Sequence, residues 1–132
     1  MDETWVRTVV EGVGQFGAGG RGFSRLVFGE AEWAACEYVA GLMRQAGLAV
    51  RTDAFGNLIG RREGTLPGAP AVATGSHVDT VPEGGNFDGV VGVVAGLAAV
   101  QRLAAEGPLR HPLELMVFRG EESSRFSVGT MG

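Results

Sequence analysis

One imidazole and several carboxylates stand in three separated stretches of this chain. His77 and Asp79 lie in Gly75-Ser76-His77-Val78-Asp79-Thr80-Val81-Pro82, Asp88 lies in Gly85-Asn86-Phe87-Asp88-Gly89, and Glu121-Glu122 directly follow a later apolar segment. A two-metal hydrolytic site needs this kind of set: nitrogen and oxygen ligands, one position left for water, and a carboxylate bridging two ions roughly 3.5–4 Å apart. A carboxylate on the second ring nitrogen of a ligating histidine fixes its tautomer and raises its basicity. Asp79, two residues from His77, is placed for that. Adjacent glutamates diverge in direction, so one of Glu121 and Glu122 can bind metal while the other accepts a proton from a water whose pKa the metal has lowered toward ~7. Each element has a plainer reading when taken singly. A His-x-Asp string is commonly a turn, a Glu-Glu pair is commonly solvated, and Asp88 before an apolar run can be a helix N-cap. Their order, with glycine-rich turns, a strand and a helix between them, is what points to a site.

The elements that must position these groups are legible from periodicity. Residues 5–13 read as a short amphipathic helix and 14–22 as a glycine-rich loop. From Glu30 the apolar positions Trp33, Cys36, Val39, Met43 and Ala46 recur at helical spacing, and Gly47 is placed to end that helix in the left-handed conformation. Residues 48–53 and 57–61 are predicted strands around the turn Ala54-Phe55-Gly56, and 71–74 is a short strand whose end delivers His77 and Asp79. Residues 89–105 form an apolar, small-residue helix stopped by Gly107-Pro108, its glycines suited to close packing on a sheet. Residues 113–118 form a buried strand with Glu121-Glu122 at its carboxyl end. The resulting order is α-β-β-β-α-β, and strand carboxyl ends in an open α/β sheet share one crevice, where ligands bind.

At 132 residues and 45% hydrophobic content, the chain has room for one domain with a core. A formal charge of −4 without a basic block argues against nucleic acid as a partner. The apolar run 90–100 is too short to span a bilayer and is interrupted by Gly92 and Gly96. The lone Cys36 cannot form an internal disulfide, and the start of the chain is acidic where a signal peptide is basic, so a cytoplasmic protein is expected. Gly12-Val13-Gly14-Gln15-Phe16-Gly17 fits the G-x-G-x-x-G string of dinucleotide-binding proteins. The glycines that follow would break the helix such a motif must open, and Asp53 lies too far along for the ribose-binding acid. His111, beside Pro112, is expected in an exposed loop.

GSHVDTVPEGGNFDGVVGVVAGL, LMVFRGEESSRF and the upstream pattern GL-x-V-x-x-D-x-x-GNL-x-GR at residues 47–61 resemble the amidase branch of the M20 metallopeptidase family, which includes N-carbamoyl-L-amino acid hydrolases and allantoate amidohydrolases. The resemblance covers nearly the whole chain. It implies a three-layer α/β/α zinc-exopeptidase-like catalytic domain of which residues 1–132 are the N-terminal part. It also implies two divalent ions, zinc or manganese with cobalt or nickel as alternatives, and a small-molecule amide or ureido substrate. By the same resemblance His77 binds one metal, Asp88 bridges both, Glu122 binds the second, Glu121 is the general base and Asp79 orients His77. Arg125 and Phe126 match its EE-x-SRF string without a derivable chemistry. The family completes its metal shells with later histidines. It also uses a second, smaller domain for homodimerisation and for gripping the substrate carboxylate. The chain is therefore expected to be a fragment, inactive alone, of a homodimeric enzyme; alternatives are an aminopeptidase or dipeptidase fragment, or a remnant with a binding or structural role.

Overall fold

The computed structural model describes residues 2–132. Helix α1 (Glu3–Gly14) is capped by Asp2, whose carboxylate accepts the Trp5 N–H at 3.0 Å. Its inward stripe Val9, Val10 and Val13 packs with α2 (Glu30–Gln45) and α3 (Val90–Ala105). Where a loop is expected after α1, two short strands, β1 (Ala18–Gly19) and β2 (Gly22–Phe23), make a hairpin. Phe23 continues outward by exchanging backbone hydrogen bonds with Gly84 at 2.9 and 3.0 Å. The G-x-G-x-x-G string thus closes a helix and runs into a hairpin, so it has no helix N-terminus to offer a pyrophosphate.

The main sheet has the order β3-β4-β6-β5, from β3 (Ala49–Thr52), β4 (Leu58–Arg62), β5 (Val72–His77) and β6 (Leu113–Phe118). β3, β4 and β6 are antiparallel neighbours, while β5 runs parallel to β6 through the α3 crossover. Leu58, Leu115 and Val117 on one face join the three helices in a single core; burial of such side chains contributes about 1.5–3 kcal/mol each. Gly92 and Gly96 let α3 sit close to the sheet, since a Cβ on either would come within 2.6 Å of Ser76 Oγ or Leu115 Cδ1. The chain is an α/β unit with helices on one face. The opposite face carries the partly exposed Glu114, Met116 and Phe118.

Three expectations are corrected here. The strand expected at 71–74 extends to His77, which pairs with Phe118. Gly75 and Ser76 are poor strand formers, but the β6 backbone supplies partners for them. Trp33 is expected on the buried stripe of α2 yet is 47% exposed, because its ring lies on the Arg119 guanidinium. An isolated part-domain is expected to leave apolar helix faces such as Val90, Val93, Val94 and Leu97 uncovered, but α1 and the sheet bury them. Cys36 is buried, and burial pushes its thiol up to about 11, as suits a packing residue.

One uncovered feature is the free edge of β5. Val72 is 58% exposed, and a cleft of about 450 Å³ beside it is lined by Thr74, Gly75, Gly92, Gly96, Ala99 and Leu103. No charge, proline or bulge protects residues 72–75, and such an edge is a template for pairing. Concentration-dependent association of the 132-residue chain is the expected result in light scattering, with Val72→Lys shifting it toward monomer. A monodisperse native chain at all concentrations would contradict this.

The β3–β4 turn is built around Asp53. Its carboxylate accepts the N–H groups of Phe55, Gly56 and Asn57 at 2.9–3.0 Å and the Asn57 side-chain amide at 2.9 Å. The Asn57 amide first, and then those backbone donors against an opposing effect of burial, hold the Asp53 carboxyl below its ordinary value. A depressed folded value means that the folded state binds fewer protons than the unfolded one. The stabilisation is therefore present above the unfolded value of about 3.9 and is lost as pH falls through the lower folded value. Asp53→Ala should cost about 1–2 kcal/mol in urea unfolding at pH 6, with a smaller difference from the native chain at pH 3.

Candidate metal and catalytic site

His77, Asp79, Glu121 and Glu122 meet at the parallel carboxyl ends of β5 and β6. Asp79, 1% exposed, joins the two strand ends. Its Oδ1 accepts the Glu121 N–H at 3.3 Å and its Oδ2 accepts the Glu122 N–H at 3.0 Å. The same carboxylate lies 3.4 Å from Nδ1 of His77, but the nearer partner of Nδ1 is the Asp79 backbone carbonyl at 3.0 Å. A carbonyl can only accept, so Nδ1 carries the proton and Nε2 presents its lone pair. The orienting contact on His77 thus comes first from the Asp79 main chain, with the carboxylate behind it.

Nε2 faces Oε2 of Glu121 at 3.6 Å. A lone pair facing a carboxylate oxygen is unfavourable unless a proton or a cation stands with them, and a divalent ion and a proton compete for that position. Burial would lower the His77 imidazole, but the Asp79 carboxylate and carbonyl and the Glu121 carboxylate outweigh it, and His77 sits above its ordinary value. Burial would likewise raise Asp79, yet His77 and the amides of Glu122 and Glu121 hold it below. Glu122 is raised, first by burial, with His77 pulling it down and Asp88, Glu121 and Asp79 pushing it up. The group is a set of mutually repelling carboxylates around one imidazole.

Asp88 is exposed at the start of α3 and does not cap it. The N-cap is Gly89, with φ +67 and no side-chain cap bond, so the carboxylate of Asp88 is not consumed by the helix. Gly89 is required for two reasons: that φ disfavours a side chain, and a Cβ there would stand 2.6 Å from Nε2 and the adjoining ring carbons of His77. The preceding Asn86 ties this loop to α1 by donating to the Val10 carbonyl at 2.9 Å.

In kind, the donors fit a divalent cation: one imidazole lone pair, a carboxylate free of helix capping, and glutamates whose charges repel one another. Among the described residues, no three such side chains are already gathered at metal-ligand spacing. His111 lies apart, exposed, with Nδ1 3.0 Å from the Pro70 carbonyl. Arg125 donates to the Val27 carbonyl and lies 5.4 Å from the Phe126 ring centre, holding the segment after Glu122 against the loop before α2.

Several positioning residues are not visible in the motif pattern. Arg25 is fully buried. Its Nε donates to the Val78 carbonyl at 2.9 Å and its Nη1 to the Phe16 carbonyl at 3.1 Å, while its backbone N–H donates to Oγ1 of Thr80 at 2.9 Å. Thr80 in turn donates to the Phe23 carbonyl at 3.0 Å. The residues around Asp79 are thereby locked to the β1–β2 segment. Asn57, oriented by Asp53, accepts the Arg119 N–H at 2.8 Å and anchors the start of the turn that carries Glu121. A threonine beside His-x-Asp is a faint signal for the first lock, and an arginine closing an apolar strand is one for the second.

Residues 57–131 match the family model described as Peptidase family M28. The chain belongs to that family. The M20 amidase branch, named on sequence motifs, is a finer placement than this peptidase-family match. The chain is 46% identical to N-carbamoyl-L-amino acid amidohydrolase of Geobacillus stearothermophilus over 99% of its own length and 32% of that relative's. A solved hydantoinase/carbamoylase family amidase from Burkholderia ambifaria superposes with a TM-score of 0.92 at 38% identity, covering 98% of this chain and 32% of that one. A structure from Bacteroides vulgatus described as a candidate Zn-dependent exopeptidase superposes with a TM-score of 0.73 over 99% of this chain and 51% of that one. At 19% identity this last likeness shows the fold alone. The M28 chain described here thus spans about a third of the length of the amidohydrolase it matches.

Proposed function

We propose that this chain is the N-terminal part of the catalytic domain of a metal-dependent amidohydrolase of the M20 amidase type, acting on linear amide or ureido C–N bonds such as those of N-carbamoyl-L-amino acids or allantoate. The observation that carries the reading is the buried Asp79 carboxylate, which holds the Glu121 and Glu122 amides beside the histidine oriented by its own backbone. His77, Asp88 and Glu122 would hold two divalent ions, zinc or manganese, with cobalt or nickel as alternatives. Such ions lower the pKa of a water toward ~7 and polarise a carbonyl. Glu121, with its side chain 42% exposed, takes a proton from the attacking water and passes it to the leaving nitrogen. Asp79 holds the backbone of both glutamates and keeps the proton of His77 on Nδ1. Water adds to the carbamoyl carbonyl, the C–N bond breaks, and the amino acid leaves with carbamate, which decomposes to ammonia and carbon dioxide. The full-length protein would be a cytoplasmic homodimer.

A peptidase is the second reading, favoured by the description of the matching family model. Full-length enzyme supplied with zinc or manganese should release ammonia and amino acid from N-carbamoyl amino acids or allantoate faster than it cleaves dipeptides; the reverse preference would overturn the amidohydrolase reading. The 132-residue chain alone, with excess metal, should show no hydrolysis above the metal-only control, since incomplete shells bind weakly and no second wall orients the substrate.

A further inference from the structure

Arg119 stands two residues before Glu121 and is almost sealed from solvent, as is Glu32 on α2. Nη2 of Arg119 lies 3.4 Å from Oε2 of Glu32, and the guanidinium carbon is 3.4 Å from the centre of the Trp33 ring. Among the described residues, no guanidinium nitrogen of Arg119 makes a hydrogen bond, nor does Oε1 of Glu32. Oε2 of Glu32 instead accepts the Phe28 N–H at 2.7 Å, helping to hold Phe28 at φ +59. Burial pushes the Glu32 carboxyl up in spite of Arg119 and the Phe28 N–H. A buried ion pair of such geometry is no better for stability than well-packed apolar side chains of similar volume.

Its placement supplies another use. The Arg119 N–H is fixed on Asn57, Gly120 turns the chain at φ +68, and the next two N–H groups go to Asp79. The double-glutamate turn is therefore gripped at its far end by Asp79 and at its near end by Arg119. We propose that Glu32 and Arg119 are a positioning pair, which through ion contact and stacking on Trp33 sets where Glu121 and Glu122 present their carboxylates. This rests on the roles proposed above for those two glutamates.

The test is the double variant Glu32→Leu/Arg119→Met, which removes both charges and so strands neither. In the 132-residue chain, amide hydrogen exchange should accelerate at least ~10-fold at Glu121 and Glu122 while Leu115 and Val117 keep their protection, because local opening is separable from global unfolding. Trp33→Leu, which keeps the charges and removes the stacking surface, should accelerate the same two amides. In the full-length enzyme the double variant should lose at least ~10-fold in kcat with KM within about twofold, the signature of an interaction that matters in the transition state. Arg119→Lys should not rescue kcat, since an ammonium cannot lie flat on the indole. Native protection of the Glu121 and Glu122 amides in both variants, or native kcat in the double variant, would overturn the proposal. A native enzyme that hydrolyses neither ureido nor amide substrates would instead refute the functional reading, and the exchange rates would still decide the positioning claim.

Discussion

Glu121→Gln in the full-length enzyme is expected to lower kcat by at least ~10²-fold while leaving bound metal and KM nearly unchanged, the usual scale for general acid–base help. Glu121 and Glu122 share a backbone anchor on Asp79 but differ in surroundings. The Glu121 side chain is half-exposed with Oε2 facing Nε2 of His77, whereas Glu122 feels the charges of Asp88, Glu121 and Asp79 together. A carboxylate among other carboxylates is suited to a cation, and an open one is suited to moving a proton. Glutamine keeps the shape and the Asp79 contacts, which are made by the backbone, so the fold should be undisturbed. Glu122→Gln should instead weaken metal binding. Steady-state kinetics beside elemental analysis separate the two, and the opposite pattern would exchange their roles.

The second large effect is expected at Asp88. Asp88→Ala should reduce bound metal in the full-length enzyme well below that of the native protein, with activity falling at least as steeply. Two doubly charged ions about 4 Å apart would repel by roughly 17 kcal/mol at an effective dielectric of 20, and a carboxylate held by both would offset this. Because Asp88 does not cap α3, its removal should leave thermal unfolding nearly unchanged. Helix loss or a large fall in Tm would mean that Asp88 serves the fold, and full metal occupancy would contradict bridging. His111→Ala, at an exposed loop, should change neither metal content nor rate.

The groups of the candidate site stand out in the sequence because their types are rare in that order. One histidine, a carboxylate two residues on, an aspartate opening an apolar helix and a glutamate pair closing an apolar strand form a pattern that survives without knowledge of packing. Strand β6 was readable to the residue, since its apolar run is bounded by Pro112 and Gly120. β5 was not, because Gly75 and Ser76 look like a turn until β6 lies beside them. The buried charges were the least visible. Arg25, Glu32 and Arg119 carry side chains that sequence patterning assigns to solvent, and only tertiary contacts reveal that they hold the loops from inside. Trp33 misled in the opposite sense: an aromatic residue on the helical stripe became half-exposed by covering an arginine. Asp53 and Asn57 stand in the 47–61 pattern and at the ends of two predicted strands, but only the structure shows that their turn orients the amide that anchors Arg119.

Anomalous diffraction from crystals of the full-length enzyme grown with zinc or manganese addresses the site most directly. Two peaks per chain are expected, both touching Asp88, one also contacting Nε2 of His77 and the other the carboxylate of Glu122, with Glu121 outside ligand distance of either. A single peak, Glu121 as a ligand, or peaks away from Asp88 would contradict it.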